Sequence, residues 1–261
     1  MRLLILASAS LLGACHGGPQ VDNQQALVNE SETAKALAPQ PVELEAPDGV
    51  TVYGTYFPAT SPRALILLFH QAGSSSGEYA DIAPRLQREG FAALAIDQRV
   101  GGDLYGANRT MAAAAGKTDY LGALPDLEAA LAWGKAKGMP IILWGSSYSA
   151  SLVFLLADAA DAKGSVKAVI AFSPGEYFND KKMVAAAAAK VTVPVFVTSA
   201  NTMEEEAEAK AIVSATSATD RQQYIPRTGI HGSSTLNANK DPGGADENWT
   251  AVLAFLKRVF P

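Results

Sequence analysis

The chain has 261 residues, of which 48% are hydrophobic and 18% charged, and its formal net charge is −5. This is an ordinary globular composition, and mild acidity without a basic cluster argues against nucleic acid or an anionic membrane surface as the main partner. The single cysteine excludes an intramolecular disulfide. The sequence has no CxxC pair, His-rich tract or Gly-rich phosphate loop, so we expect neither a metal nor an organic cofactor.

The first residues have the features of a targeting segment. Met1–Arg2 supplies a minimal positive charge, Leu3–Leu12 is apolar but too short to span a bilayer, and Leu12-Gly13-Ala14-Cys15 resembles a bacterial lipoprotein box. The resemblance implies that residues 1–14 are a signal peptide and that Cys15 becomes lipidated. Such an anchor attaches the protein to a membrane of the bacterial cell envelope, facing the periplasm. The alternative is an ordinary secretory signal with an incidental cysteine.

The domain follows a polar tether. Residues 15–41 are rich in Gln, Asn, Ala, Pro and Glu with little apolar periodicity, which predicts a flexible segment before a domain over residues 42–261. Val42–Ala46 and Val50–Phe57 alternate apolar and polar residues around a Pro-Asp-Gly turn, which predicts an antiparallel hairpin. Ala64–Phe69 is an uninterrupted apolar run, typical of a strand buried on both faces.

From this strand onwards, predicted helices and strands alternate along the chain. The predicted helices are Glu78–Glu89, Asp119–Lys137, Lys181–Ala189, Glu204–Ser217 and Asp246–Val259, and the predicted strands are Phe91–Ile96, Ile141–Trp144, Val166–Phe172, Val193–Thr198 and Gln222–Pro226. The alternation predicts an α/β fold, with a mostly parallel central sheet, helices on both faces and the antiparallel hairpin at its start. Active-site groups are then expected at the carboxyl ends of the strands.

A Gly- and Ser-rich loop, His70–Ser76, follows the first buried strand. Such a loop can point backbone N–H groups at an oxyanion, which acyl transfer requires. The expected donors are the N–H of Tyr148 together with that of Ala72 or Gln71. The alternative is a simple strand-to-helix turn capped by serine.

The segment Ile141–Phe154 predicts a strand, a sharp turn and a helix. Ser147 stands at its centre, with Gly145 two residues before and Ser149 two residues after. The G-x-S-x-G nucleophile elbow needs small residues at both positions, and Ser149 keeps the small size although it replaces the second glycine. Ser147 is therefore a candidate nucleophile, the alternative being a Ser-rich helix N-cap.

The three histidines differ in their sequence context. His16 adjoins the expected anchor, and His70 belongs to the loop after the first buried strand, where packing or hydrogen bonding is the expected role. His231 lies in a Gly-rich loop between the last strand and the last helix, late enough in the chain to act as general base. A surface histidine is the alternative for this position.

Five segments together resemble an α/β-hydrolase of the dienelactone hydrolase type, over roughly Val42 to Pro261. They are LLFHQAGSS, AIDQR, WGSSYSA, VPVFVTSA and GIHGSS, in the order that the family has. The resemblance implies a Ser, acid, His triad in that chain order, to which Ser147 and His231 correspond.

The acid of the triad departs from the family pattern. The family usually carries an aspartate shortly after the strand that ends here near Thr198, but residues 199–206 contain only glutamates as acids. Thr202 and Glu205 have the spacing of a capping box, which gives Glu205 a local structural role. Glu204 is therefore the preferred acid, with Glu205 left open and a solvated glutamate as the alternative.

These features predict a serine hydrolase for a small, ester-like substrate: an ester, thioester or lactone. Only about twenty residues separate Phe172 from Val193, too few for a large lid domain. A peptidase or acyltransferase on the same fold is an alternative, because a triad does not select the leaving group or the acceptor. A catalytically degenerate, lipid-anchored binding protein is the alternative outside the enzymes.

Overall fold

A computed structural model describes residues 37–114, 118–159 and 162–261. The predicted signal peptide of residues 1–14, the predicted lipidation site Cys15 and most of the predicted tether lie outside the described residues. None of the helices in these three ranges is long and apolar enough to cross a membrane.

The described residues form one eight-stranded sheet. Its strands are β1 (Gln40–Glu45), β2 (Thr51–Phe57), β3 (Leu65–Phe69), β4 (Ala92–Ile96), β5 (Ile141–Ser146), β6 (Val166–Phe172), β7 (Val195–Thr198) and β8 (Arg221–Gln223). The strand order is β1-β2-β4-β3-β5-β6-β7-β8. β1 and β2 form the predicted antiparallel hairpin, β2 also pairs antiparallel with β4, and the other pairs are parallel. The predicted α/β fold is confirmed.

The helices of the described ranges connect these strands. They are α1 (Ile82–Arg88), α2 (Arg109–Ala113), α3 (Leu124–Ala136), α4 (Tyr148–Asp158), α5 (Met183–Ala188), α6 (Met203–Ala215) and α7 (Ala245–Val259). Short 3₁₀ turns occupy Ser76–Tyr79, Tyr120–Ala123 and Gly232–Leu236. The connection between β6 and β7 contains only α5, so the chain inserts no large lid at this point.

The sheet separates two hydrophobic cores, because successive side chains of a strand point to opposite faces. Leu65, Leu67 and Phe69 of β3 pack into one core with residues of α3, α4, α5 and α6. Ile66 and Leu68 pack into the other core with residues of α1 and α7. Each of these side chains is fully buried, which contributes roughly 1.5–3 kcal/mol per residue. The helices therefore cover both faces of the sheet, as predicted.

Two prolines explain why two helices begin later than predicted. The segment predicted as Glu78–Glu89 is a 3₁₀ turn followed by α1, in which Pro84 occupies the third position. The segment predicted as Asp119–Lys137 is likewise a 3₁₀ turn followed by α3, with Pro125 at the second position. Proline has no N–H to donate and is tolerated only in the first turn of a helix, so each helix begins just before its proline.

The segment between β4 and α3, where no helix or strand was predicted, contains the short helix α2. Asn108 caps this helix, since its side chain accepts a hydrogen bond from the Met111 N–H at 2.7 Å. Thr110 Oγ1 accepts the N–H of Tyr53 at 2.9 Å, which attaches the helix to β2. The segment after β4 is thus held against the antiparallel side of the sheet.

Candidate active site

Ser147 lies at a strained turn between β5 and α4. Its backbone has φ 60° and ψ −126°, a left-handed conformation that is costly for a residue with a Cβ. The turn brings chain segments close together, because a Cβ on Gly145 would lie 2.5 Å from the Ala150 backbone. Glycine at position 145 is therefore a steric requirement, and the turn presents the Ser147 hydroxyl at the carboxyl end of β5.

Ser149, which replaces the second glycine of the elbow pattern, is fully buried and hydrogen-bonded. Its Oγ accepts the N–H of Ser146 at 2.9 Å and donates to the Phe69 carbonyl at 2.6 Å. The hydroxyl therefore connects the turn to the end of β3. A serine at this position serves the turn rather than disrupting it.

The loop that precedes the Gly232–Leu236 turn brings His231 to Ser147. His231 Nε2 lies 2.7 Å from Ser147 Oγ, and His231 Nδ1 lies 2.9 Å from Glu205 Oε1. Ser147 is 7% exposed, whereas the His231 side chain is 43% exposed and marks the opening of the site. The three side chains form a chain of hydrogen bonds that can carry a proton from Ser147 to His231.

Glu205, rather than Glu204, contacts His231, which corrects the preferred choice of Glu204. Thr202 does cap α6, since its hydroxyl accepts the Glu205 N–H at 3.3 Å. The Glu205 carboxylate, however, does not return to the cap residue. Its Oε2 accepts the N–H of Ala200 at 2.9 Å, which turns Oε1 towards His231. Glu204 is exposed one position earlier in the helix.

The electrostatics of this contact favour a charged pair. Burial raises the pKa of the Glu205 carboxyl, but hydrogen bonds from His231, Ser173 and the Ala200 N–H outweigh burial and hold the pKa at about 2. The hydrogen bond to Glu205 raises the pKa of His231 against the opposing effect of burial. Glu205 is therefore ionised at neutral pH and stabilises the imidazolium that forms when His231 accepts a proton.

The structure separates the two alternative oxyanion donors of the His70 loop. The Gln71 N–H donates to Glu78 Oε2 at 2.8 Å, so it is not free for an oxyanion, which corrects Gln71 as a donor. The Gln71 carbonyl accepts from His70 Nδ1 at 2.8 Å. The N–H of Ala72 belongs to the same peptide group as the Gln71 carbonyl, and in a trans peptide the two point in opposite directions. By holding the carbonyl, His70 therefore fixes the direction of the Ala72 N–H.

His70 is suited to this role by its tautomer. Its Nε2 accepts the Gln98 N–H at 2.8 Å, which leaves the proton on Nδ1 for the Gln71 carbonyl. Burial lowers the pKa of His70 to about 4, so the ring stays neutral near pH 7. Tyr148 opens α4, where the first amides have no partner within the helix. The N–H groups of Tyr148 and Ala72 remain as the donor pair.

Two residues that the sequence analysis did not identify lie beside the nucleophile. The Tyr177 hydroxyl donates to the Ser173 carbonyl at 2.9 Å and also interacts with the Ser147 side chain. Ser173 has φ 55°, and its hydroxyl accepts the Gly232 N–H at 3.0 Å. Both residues follow the carboxyl end of β6, the edge where a parallel sheet places its active site. That position is the sequence signal that could have identified them.

A small pocket adjoins this site. It has a volume of about 100 Å³ and is lined by aromatic, aliphatic and polar side chains: Tyr120, Tyr177, Phe178, Leu121, Met183, Asp119, Asn179 and Asp180. The Tyr120 ring also stacks on Tyr148 at 4.8 Å. A larger cavity, of about 330 Å³, is lined by residues near the amino end of β6, on the edge of the sheet away from Ser147.

No group of three or more His, Cys, Asp or Glu side chains in ranges 37–114, 118–159 and 162–261 is arranged to hold a metal ion. The chemistry that the described side chains offer is nucleophilic. Ser147 can attack, His231 can accept and return a proton, and backbone N–H groups can stabilise negative charge on oxygen.

A model of the family described as serine aminopeptidase, S33, matches residues 60–237, more than half of the chain. A comparison with curated proteins gives no match. Among solved structures, a dienelactone hydrolase from Anabaena variabilis has a TM-score of 0.66 at 17% identity, with 85% of this chain and 99% of that chain covered. An esterase from Pyrococcus furiosus has a TM-score of 0.61 at 18% identity, with 88% of this chain and 93% of that chain covered. A monoglyceride lipase variant from Saccharomyces cerevisiae has a TM-score of 0.63 at 14% identity, with 86% of this chain and 96% of that chain covered. The chain therefore has the α/β-hydrolase fold and belongs to the serine aminopeptidase S33 family.

Proposed function

We propose that the protein is a serine hydrolase that cleaves a small carboxylic ester, thioester or lactone through an acyl-enzyme. The observation that carries the proposal is the pair of hydrogen bonds from Ser147 Oγ to His231 Nε2 at 2.7 Å and from His231 Nδ1 to Glu205 at 2.9 Å. Their meeting at a strained elbow is the arrangement that activates a serine hydroxyl.

In the first half of the reaction, Ser147 Oγ attacks the carbonyl carbon while its proton passes to His231 Nε2. The carbonyl oxygen becomes an oxyanion that accepts hydrogen bonds from the N–H groups of Tyr148 and Ala72. When this intermediate collapses, the bond to the leaving group breaks. The leaving alkoxide or thiolate takes the proton from His231, and the acyl group stays on Ser147.

In the second half, water gives a proton to His231 and attacks the acyl carbon. Collapse of the second intermediate releases the carboxylic acid and returns the proton to Ser147. Glu205 stays ionised throughout, because its lowered pKa keeps the carboxylate charged while His231 gains and loses its proton.

The surroundings of Ser147 support a small substrate. The adjoining pocket of about 100 Å³ fits a short or compact group, and its lining combines aromatic rings with polar side chains. The short connection through α5 leaves a longer substrate partly exposed to solvent. Esters of short acids, and lactones of similar size, fit these limits.

Cleavage of amides is the second candidate activity, and the family description as a serine aminopeptidase favours it. The same triad serves both reactions, because an amide differs from an ester in its leaving group. The two activities are separated by comparing a p-nitrophenyl ester with an aminoacyl p-nitroanilide. We expect turnover of the ester to exceed that of the anilide.

The test of the proposal compares Ser147→Ala with Ser214→Ala, an exposed serine of α6 that serves as the matched control. We expect Ser147→Ala to abolish hydrolysis of p-nitrophenyl acetate and labelling by a fluorophosphonate, with no change in melting temperature beyond a few degrees. The control should retain both. A wild-type protein that neither hydrolyses esters, thioesters, lactones or anilides nor reacts with the fluorophosphonate would overturn the proposal.

A further inference from the structure

A buried carboxyl that the proposed mechanism does not use lies directly behind the nucleophile turn. Glu78, in the 3₁₀ turn Ser76–Tyr79, is 3% exposed. Its Oε2 accepts the N–H of Gln71 at 2.8 Å, and its Oε1 accepts the hydroxyl of Ser146 at 2.7 Å. Gln71 belongs to the loop that supplies one oxyanion donor, and Ser146 immediately precedes the nucleophile. One side chain therefore connects two parts of the active site.

The connection continues to the loop that carries the histidine. Ser146 Oγ accepts the N–H of Ser233 at 2.8 Å, and Ser233 Oγ accepts the indole N–H of Trp144 at 2.9 Å. The backbone of Gly232 passes close to Ser146, since a Cβ on Gly232 would lie 2.5 Å from Ser146 Oγ. We call the hydrogen bonds among Gln71, Glu78, Ser146 and Ser233 the Glu78 network.

Stability alone does not account for an ionised carboxyl at this position. Burial raises the pKa of Glu78 to about 7, because the hydrogen bonds that favour the carboxylate do not offset the lost hydration. A raised carboxyl pKa contributes stability that is complete below pH 4.5 and is lost as the pH rises through 7. Ionised Glu78 therefore costs stability near neutral pH relative to protonated Glu78.

We propose that Glu78 is a positioning residue of the hydrolysis, whose carboxylate holds the Gln71 loop, the Ser147 turn and the His231 loop in their reactive arrangement. This inference rests on the proposed function. Glu78 fixes the N–H of Gln71 while His70 fixes its carbonyl, and together they aim the following N–H, that of Ala72, at the oxyanion. The negative charge of Glu78 also favours the protonated form of His231 that the transition state requires.

Several titratable groups in the described part of the chain interact electrostatically with Glu78. They are His231, Tyr79 in the same turn, Tyr105 in the loop after β4, and Tyr148 at the start of α4. Burial raises the pKa of each of the three tyrosines, so they stay neutral between pH 5 and 9. Within this group, changes of activity with pH in that range come from Glu78 and His231.

The test is Glu78→Gln, which keeps the shape of the side chain and removes its charge. We expect kcat for p-nitrophenyl acetate to fall between about tenfold and a hundredfold, less than the loss of a whole oxyanion donor, while KM changes less than about threefold. Below pH 7, the slope of log kcat/KM against pH should exceed 1 in the wild type and fall to 1 in the variant, because only His231 still titrates. The amide NH₂ of the variant faces either the Gln71 N–H or the Ser146 hydroxyl, so the melting temperature is measured alongside the activity.

Two further variants make the test specific. Ser146→Ala removes a hydrogen bond that lowers the pKa of Glu78, so this pKa should rise. The steep part of the profile of log kcat/KM against pH should then move to higher pH. Asp126→Asn removes a buried carboxyl that pairs with Arg99. This control should lower the melting temperature without changing the slope.

The outcomes separate this inference from the proposed function. If the wild type hydrolyses the ester and Glu78→Gln matches it in kcat and in pH profile, Glu78 has no positioning role. A variant that loses activity only in proportion to its loss of melting temperature has the same meaning. If the wild type itself has no activity and does not react with a fluorophosphonate, the proposed function fails instead.

Discussion

Glu205→Gln changes one carboxylate oxygen to an amide nitrogen and keeps the length of the side chain. If the amide oxygen keeps the hydrogen bond from the Ala200 N–H, the NH₂ group faces His231 Nδ1. The ring nitrogen must then accept a hydrogen bond, which moves the ring proton to Nε2, opposite Ser147 Oγ. In this tautomer His231 cannot take the proton of Ser147.

The expected loss of rate has two causes: the wrong tautomer of His231 and the lost charge interaction between Glu205 and His231. Against the opposing effect of burial, hydrogen bonds lower the pKa of Glu205 from 4.5 to about 2, which corresponds to roughly 3 kcal/mol of stabilisation of the carboxylate. Ser173 and Ala200 share in this stabilisation and the His231 side chain is 43% exposed, so screening leaves about 1–2 kcal/mol for the pair with His231. That energy alone corresponds to about tenfold in rate. The wrong tautomer dominates, and we expect kcat to fall by about 10³–10⁴ in total.

The assay is kcat for p-nitrophenyl acetate, measured with melting temperature for the wild type, Glu205→Gln and Glu204→Gln. Glu204 is the matched control, because it lies in the same turn of α6, loses the same charge and is exposed. We expect Glu204→Gln to stay within about twofold of the wild type. A large loss in the Glu204 variant with a normal Glu205 variant refutes the assignment. Full activity in both variants would mean that the acid lies outside the start of α6.

The same variant tests the link between charge and stability. Because hydrogen bonds lower the pKa of Glu205 to about 2, its contribution to folding is present above pH 4.5 and is lost as the pH falls through 2. The wild type should therefore melt above Glu205→Gln at pH 6, and the difference should shrink as the pH is lowered from 4.5. A difference that is independent of pH would contradict the lowered pKa.

Three further predictions concern the turn, the nucleophile's neighbour and the anchor. Gly145→Ala places a Cβ 2.5 Å from the Ala150 backbone, so it should abolish activity and lower the melting temperature. In the control Gly243→Ala, the new Cβ lies 3.8 Å from its nearest atom, so activity and melting temperature should not change. Tyr177→Phe removes one hydroxyl and should reduce kcat by about fivefold, the equivalent of one hydrogen bond; a loss above a hundredfold would make Tyr177 part of the catalytic machinery. Cys15→Ser should prevent cleavage and lipidation, so intact-mass measurement of the membrane fraction should find the lipid only in the wild type.

The sequence predicted most of the sheet, because β3 to β7 are short, mainly apolar runs and β1 and β2 alternate apolar and polar residues. β8 has no apolar residue, and it lies at Arg221–Gln223 rather than at the predicted Gln222–Pro226. β3 and β6 lie within one residue of their predicted bounds. Helix starts were less accurate, since apolar periodicity continues across a 3₁₀ turn and only Pro84 and Pro125 mark where an α-helix can begin.

The geometry of the candidate site was predictable where local sequence determines it. The turn at Ser147 was predictable because a sharp turn requires small neighbours, and His231 was a candidate partner because few histidines were available. The choice between Glu204 and Glu205 depends on which rotamer the Ala200 N–H selects, a contact that spacing along the chain does not show. Glu78 was missed for a similar reason, because a glutamate near a predicted helix start is normally solvated and its burial arises only when the loops assemble.

The hydrogen bond from the Trp144 indole to Ser233 gives the protein an internal fluorescent reporter. Trp144 is fully buried, its ring stacks on Phe172 at 4.9 Å, and its N–H ends on the loop that carries His231. Indole emission depends on the polarity and hydrogen bonding of its surroundings. Displacement of that loop by an inhibitor or a bulky acyl group should therefore change the emission spectrum without any added label. The difference spectrum between the wild type and Trp144→Phe separates this signal from the other tryptophans. Loop movement can then be followed in stopped flow during the proposed formation and decay of an acyl-enzyme.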